Sequence, residues 1–376
     1  MKCVTLLLVN FLFKLNNNNM INSVITGSGH YLPNKIVTNE DFINHKFFGD
    51  DGNPLEKSGE EITRKFEEIT EIRERRYVED DILNSDIATE AAKIAIEKAG
   101  VDVETLDYII CAHNFGDIDP VARQIDIMPS ISAKVKHNLG IKNLKCKPYD
   151  MTFGCPGWVE SLILAHQFIQ AKIAKKVLVV GSDTLSRAID PYDRSAMIFA
   201  DGAGAVVLEA KEDDYKYGII NHATLSYTDE ELSFLCNGKS INPDYVGSIK
   251  NINMKGRKVY EFVLKNVPPA IKSLLDESSI SIEEIDKILL HQANAKMDHA
   301  MIERLYKLYG VAAPKDVDPM TVQFLGNTSV ATVPTMFNLI QENKLAPHQF
   351  HPDNKIIMAS VGASMNINAV IYQFKK

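Results

Sequence analysis

The chain repeats itself, and that repeat limits its fold more than any other feature. Leu106-Asp107-Tyr108-Ile109-Ile110 is echoed by Ile285-Asp286-Lys287-Ile288-Leu289, with Asp107 and Asp286 179 positions apart. At the same offset Lys176-Val177-Leu178-Val179-Val180 meets Lys355-Ile356-Ile357-Met358-Ala359. The helical patterns Ala91-Ala92…Ala95-Ile96 and Ala270-Ile271…Leu274-Leu275 are in register with them. Each apolar run is what a strand buried on both faces requires. Any α/β chain shares one such strand by chance, but three co-registered segments argue for duplication. A period this long excludes a solenoid. The reading is therefore two α/β halves, with helices around largely buried sheets. Their boundary is expected near the charged stretch Lys211–Tyr217, giving halves at 20–212 and 213–376.

A chain of 376 residues can bury one large core or two medium ones. Its net charge of −8 argues against a general nucleic-acid binder, which needs clustered Lys and Arg to neutralise phosphates. No stretch reaches the roughly 20 apolar residues of a membrane span. The five cysteines are an odd number with no C-x-x-C spacing, so neither a disulfide framework nor a zinc ribbon is expected. Free thiols suit a reducing cytoplasm. No metal cluster is evident, and Gly202-Ala203-Gly204 lacks the Lys-Ser/Thr that completes a phosphate loop. Residues 1–19 imitate a short secretory signal, but Asn10 interrupts the apolar run and Asn16–Asn19 replace a small-residue cleavage site. They read as an extension, disordered or untranslated, with translation starting at Met20.

Chemistry concentrates at Tyr149-Asp150-Met151-Thr152-Phe153-Gly154-Cys155-Pro156-Gly157-Trp158, which leads into the helical pattern Val159–Lys172. Pro156 suits a first helical turn, where its missing N–H is no loss. Cys155 would then sit at a helix N-terminus, where free N–H groups and the dipole stabilise a thiolate. Gly154 and Gly157 allow a tight strand-to-helix turn. This is the logic of a nucleophile elbow with sulfur in place of oxygen. Free cysteines are more often buried and structural. Cys111 and Cys146 are read that way, and for Cys155 the residues alone leave both readings open. Two further segments place polar residues after apolar strands, His291-Gln292-Ala293-Asn294 and Gly326-Asn327-Thr328-Ser329. Alone, each passes for a structural histidine and a turn asparagine.

Taken together, Asp150…Cys155-x-Gly157, His291-Gln292-Ala293-Asn294 and Gly326-Asn327-Thr328-Ser329 resemble the three signature blocks of the β-ketoacyl-[acyl-carrier-protein] synthase III family. Ser182-Asp183, Asp190-Pro191…Asp193-Arg194, Asp201-Gly202-Ala203-Gly204-Ala205, Pro129-Ser130 and Leu139-Gly140-Ile141-Lys142 extend the likeness from about Ile21 to Phe374. The resemblance implies a duplicated thiolase-like fold with layers αβαβα. It implies a ping-pong acyltransferase in which Cys155 takes an acyl group from acyl-CoA or an acyl carrier protein. Malonyl carrier protein then loses carbon dioxide and attacks. His291 and Asn327 would donate hydrogen bonds to the enolate, and the backbone N–H groups of Cys155 and Gly362 would hold the acyl-transfer oxyanion. Asn327, where elongating synthases are expected to carry a second His, favours this family, as does the lack of a cysteine in Val361-Gly362-Ala363-Ser364.

The resemblance further implies a homodimer with no tightly bound cofactor. Met128 would reach the neighbour's acyl pocket, and Arg194 would contact a nucleotide or pair with Asp193 or Asp201. Val361 replaces a pocket-wall Phe, Lys65 stands where an adenine-stacking Trp is usual, and Glu71 replaces the usual Gly. These departures keep a second reading open, a specialised ketosynthase joining longer acyl or β-ketoacyl chains. A third is an inactive scaffold subunit of the same fold. Lys296, Arg304 and Lys307, on an expected helix Asp298–Tyr309, could form a basic strip for an acidic carrier protein. The same face, shared with Asp298 and Glu303, could equally be merely solvated.

Overall fold

A computed structural model describes residues 20–245 and 251–376; the N-terminal extension lies outside the described residues. Nine strands build two main sheets. The first contains β1 (Met20–Tyr31), β2 (Tyr108–Ala112), β3 (Lys147–Met151), β4 (Lys176–Thr184) and β5 (Asp201–Asp213), in the order β1-β5-β4-β2-β3. The second contains β6 (Gly218–Leu225), β7 (Ile285–Leu290), β8 (Lys355–Gly362) and β9 (Asn366–Gln373), in the order β6-β9-β8-β7. The two orders superimpose strand for strand apart from β3. In both, the two strands of the repeated motif pair in parallel, β2 with β4 and β7 with β8. Among the described residues the second sheet has no counterpart of β3; the segment at the matching offset is Gly326–Val330, which carries Asn327.

Alternation along the strands explains the layers. Ile110, Val177, Val179, Val206 and Leu208 face a central core, as do Ile356, Met358, Val370 and Tyr372 from the second sheet. Between them lie helices α2 (Gly157–Gln170) and α5 (Thr332–Gln341), buried on nearly every side, with Trp158 only 1% exposed. Residues one step along each strand point the other way. Ile109, Leu178 and Val207 pack on helix α1 (Asn84–Ala99), and Ile288, Ile357 and Ile371 pack on α3 (Gly256–Glu277) and α4 (Ala295–Lys307). A period of two in strands buried on both faces therefore gives five layers, helix-sheet-helix-sheet-helix. This is the duplicated thiolase-like architecture that the resemblance implied.

The ends of three elements differ from the sequence reading for local reasons. Helix α4 starts three residues earlier than expected, because the Asn294 side chain accepts the Met297 N–H at 3.1 Å and caps it. Helix α2 starts at Gly157, so Pro156 is its cap residue rather than a member of its first turn. Strand β8 runs on past the apolar run Lys355–Ala359, through Val361 to Gly362. The carboxyl ends of the parallel strands β2, β3, β4, β7 and β8 deliver His113, Cys155, Asp183, His291 and Gly362 respectively to one region. Crevices beyond strand carboxyl ends are where open α/β sheets bind ligands.

Candidate active site

Strand β3 ends at Met151, and Thr152–Cys155 turn the chain into α2. The turn needs glycine at 154, whose φ is +69°, and a Cβ there would lie 2.8 Å from the Ala363 nitrogen. Across the turn, Gly362 is extended, with φ −170°, so its requirement is space and not conformation. A Cβ on Gly362 would lie 2.8 Å from the Cys155 nitrogen and 2.9 Å from its Cβ. Cys155 is half-buried and faces a cavity of about 460 Å³. Phe115, Leu185, Phe199 and Ile252 supply its apolar wall, and Ser226 and Asn366 supply polar lining.

His291 follows β7, its N–H held by the Ala359 carbonyl at 2.8 Å. The next residues are braces. Gln292 Nε2 donates to the Pro319 carbonyl at 2.6 Å, while its Oε1 accepts from the N–H groups of Thr321 and Val322. Gly326, with φ +67°, has no room for a side chain beside Arg75 and Ala200. Asn327 is therefore fixed by its backbone to the first half: its N–H donates to the Ile198 carbonyl at 2.8 Å, and its carbonyl accepts from Ala200 at 2.9 Å. Asn327 Oδ1 accepts the Ser329 N–H at 2.8 Å and lies 3.0 Å from His291 Nε2. Since that oxygen can only accept, Nε2 carries the hydrogen and Asn327 Nδ2 is turned away as a further donor. Burial lowers the His291 pKa, against opposing contributions from Asn327 and Asp298, so the ring is neutral.

Sequence reasoning missed the link between this pair and the thiol. Ser329, left-handed with φ +53°, lines the same cavity as Cys155, and Asn114 Nδ2 donates to the Ser329 hydroxyl at 2.9 Å. Asn114 also gives its N–H to Asp183 at 2.8 Å and its amide to the other carboxyl oxygen. Burial raises the Asp183 pKa to about 6. Burial opposes the thiolate expected at the helix N-terminus. It pushes the Cys155 thiol up to about 11; the Ser329 hydroxyl opposes this and the Asp183 charge adds to it. Cys155 directly precedes the cap residue Pro156, and among the described residues no cation lines its cavity.

Other expected site residues lie elsewhere. Val361 points into the second-half core, 7% exposed, and Ala363 and Ser364 form the cavity wall instead. Met128 is 86% exposed on this chain, outside the cavity. Arg194 is exposed and outside it too, and among the described residues it forms no ion pair with Asp193 or Asp201. Asp193 instead caps Ser195, while Asp201 accepts from Ser186 and Val78. Lys296, Arg304 and Lys307 are exposed on α4, with Arg304 donating to the Leu264 carbonyl at 3.1 Å. Asp298 is not on that solvated face; it is fully buried. Lys65 pairs with Glu61 at 3.1 Å on the outer face of a helix, and Glu71 takes the left-handed cap position, φ 62°, that glycine favours.

Comparison with known proteins agrees with this geometry. The family model described as 3-oxoacyl-[acyl-carrier-protein (ACP)] synthase III matches residues 149–227, and its C-terminal counterpart matches 275–374. The β-ketoacyl-[acyl-carrier-protein] synthase III of Streptococcus pneumoniae is 34% identical over 325 residues, 86% of this chain and 91% of that protein. The 3-oxoacyl-[acyl-carrier-protein] synthase III structure from Aquifex aeolicus superposes with TM-score 0.74 at 29% identity, over 94% of this chain and all of that one. The Thermus thermophilus β-ketoacyl synthase III structure gives 0.76 at 27%, over 94% and 99%. The priming β-ketosynthase of the R1128 polyketide pathway shares the fold at TM-score 0.77 and 23% identity, over 94% and 97%. An elbow cysteine, a histidine and an asparagine thus converge on a duplicated α/β scaffold, and the chain belongs to the β-ketoacyl-[acyl-carrier-protein] synthase III family of acyltransferases.

Proposed function

We propose that this enzyme condenses an acyl thioester primer with malonyl carrier protein through an acyl-Cys155 intermediate, initiating fatty-acid synthesis. The supporting observation is that Cys155 and Ser329 line one cavity while the Ser329 N–H and His291 Nε2 both meet Asn327 Oδ1. In the first half-reaction the Cys155 sulfur bonds to the primer carbonyl and the donor thiol departs with the cysteine proton. The N–H groups of Cys155 and Gly362, adjacent across the turn, hold the oxyanion. In the second, the malonyl C–C bond breaks, carbon dioxide leaves and the electron pair forms an enolate. The enolate carbon attacks the Cys155 thioester and expels the sulfur. Asn327 Nδ2 and the His291 Nε2–H, released from Asn327 Oδ1, bind the enolate oxygen as neutral donors. No tightly bound cofactor takes part; acyl-CoA or acyl carrier protein and malonyl carrier protein are the substrates.

A carrier protein docks on the exposed cations Lys296, Arg304 and Lys307. The enzyme works as a cytoplasmic homodimer in which Met128 reaches the partner's acyl pocket, consistent with its exposure. The cavity, about 460 Å³, is as large as typical small-molecule sites of about 300–1,000 Å³. A cavity of that size suits either a short primer or the longer one of a specialised ketosynthase. Acylation rates across a series of acyl-CoA chain lengths distinguish the two. For His291→Ala, Cys155 acylation is expected to stay within about tenfold of wild type while decarboxylation falls about 10²–10³-fold, the loss of one oxyanion donor. Loss of acylation with decarboxylation intact would remove the assigned role of His291.

A further inference from the structure

A second cavity, of about 300 Å³, lies beyond the carboxyl end of β4 and shares no lining residue with the Cys155 cavity. Lys35, Arg123 and Arg187 stand on its wall, with Asp80. Arg187 ends the short turn Leu185–Arg187 that follows β4, and it is only 8% exposed. Its Nη1 donates to the Ile118 carbonyl at 3.1 Å, and its Nη2 donates to the carbonyls of Glu79 and Asp80 at 2.9 and 3.2 Å. These partners are neutral, so they fix the guanidinium and leave its charge whole. Its Nε–H makes no hydrogen bond among the described residues.

Arg123 arrives on a hairpin in which Asp117–Ile118 pairs with Ile125–Asp126. Asp119 builds the turn: its carboxylate accepts the Val121 N–H at 2.9 Å, and its carbonyl accepts the Arg123 N–H at 2.9 Å. Arg123 is left-handed there, with φ +51°, a conformation held only where the surroundings enforce it. Its Nε and Nη2 donate to the Arg187 carbonyl, and Nη2 also reaches the Ile189 carbonyl at 3.0 Å. Again the partners are neutral, and Nη1 makes no hydrogen bond among the described residues. Lys35 opens the short strand Lys35–Thr38 and is exposed; among the described residues its Nζ makes no hydrogen bond or ion pair.

The nearby carboxylates are engaged elsewhere. Asp117 binds Ser85 and Lys134, and Asp126 binds Lys134 at 2.6 Å. Asp201 accepts from Val78 and from Ser186. Among the described residues Asp80 is the one carboxylate on the cavity wall, and no ion pair joins it to the three cations. Like charges gathered around one small cavity repel one another. This happens in a chain whose net charge is −8.

We propose that this cavity binds a small phosphoryl dianion, either inorganic phosphate or the phosphate of an organic monoester. Three cations less one carboxylate leave two positive charges, which a dianion matches and a single carboxylate does not. Guanidinium N–H groups in fixed forks, beside one ammonium, suit a tetrahedral oxyanion. Both forks are tied to backbone carbonyls, so little ordering remains to be done on binding. The site is independent of the Cys155 chemistry and stands whether or not the condensation reading does.

The test is isothermal titration of the full-length protein with inorganic phosphate at about pH 8, where the dianion prevails, with chloride holding the ionic strength constant. One saturable site with Kd on the order of 1 mM is expected. Lys35→Gln should weaken it about tenfold, and Lys35→Gln with Arg123→Gln about 10²-fold. Both variants should still acylate Cys155 at the wild-type rate. Lys35 Nζ holds no structural contact among the described residues, so the single variant decides the matter if the double one does not fold. Glycerol 3-phosphate, titrated in the same way, separates the two sources. Tighter binding than inorganic phosphate names an organic monoester, and weaker binding names the free ion. Absence of saturable binding below about 50 mM, or equal affinity in wild type and Lys35→Gln, overturns the proposal.

Discussion

Replacing Gly362 with alanine is the sharpest steric probe of the site. The residue is already extended, so the substitution creates no backbone strain. What it creates is overlap. The new Cβ would lie 2.7 Å from Pro156 Cδ, 2.8 Å from the Cys155 nitrogen and 2.9 Å from Cys155 Cβ. Ordinary carbon contacts are about 3.5–4.0 Å, so the elbow and strand β8 must separate by roughly 0.5–1 Å. Overpacking of this kind costs about 1–3 kcal/mol of stability. The larger consequence is kinetic, because a misplacement of about 1 Å at a reacting centre costs about 10²-fold. Acylation measured by mass spectrometry over time should therefore slow about 10²-fold, while thermal denaturation shows a folded protein shifted by only a few degrees. Gly256→Ala is the control: nothing lies within 4 Å of its Cβ position, at the start of α3. There alanine should leave acylation unchanged and alter stability by no more than about 1 kcal/mol. Gly362→Ala acylating within roughly twofold of wild type would refute the contact between strand β8 and the nucleophile.

Two further outcomes follow from the electrostatics. Because the Cys155 thiol is pushed up to about 11, its thiolate fraction rises throughout the neutral and mildly alkaline range. Alkylation of Cys155 by iodoacetamide should accelerate about tenfold per pH unit from about pH 7 to about pH 10; a plateau below about pH 8 would contradict the buried-thiol account. For docking, Lys296→Glu combined with Lys307→Glu should raise KM for malonyl carrier protein about tenfold and leave a small malonyl thioester mimic nearly unchanged. Equal losses on both substrates would remove the docking face.

The sheets were legible because strands buried on both faces must be apolar throughout, and duplication repeats that pattern at a fixed offset. The elbow was legible because Gly154 and Pro156 announce a sharp turn into a helix. The link between the halves of the site was not. Ser329 lines the cavity with Cys155 because Gly326 clamps the following turn against Arg75 and Ala200, contacts made by tertiary packing. Asn114 and Asp183 join for the same reason, from the ends of different strands. Asp298 was misread through a boundary error. Starting α4 at Asp298 hides the Asn294 cap and turns the carboxyl outward, whereas starting at Ala295 turns it into the core. Val361 was placed on the cavity wall because β8 runs further than its apolar core suggests, and alternation along that strand sends the side chain inward with Ala359. The reading of a readily ionised thiol weighed the dipole without burial, which raises the thiol's pKa.

The central claim concerns the fate of one sulfur. Purified protein is incubated with an acyl-CoA, digested and analysed by mass spectrometry, then treated with malonyl carrier protein and analysed again. The account predicts an acyl group on the peptide containing Cys155, absent from Cys155→Ser. It also predicts that malonyl carrier protein discharges this group, with carbon dioxide and β-ketoacyl carrier protein formed in equal amounts. An adduct on another residue, or one on Cys155 that malonyl carrier protein leaves in place, would contradict it.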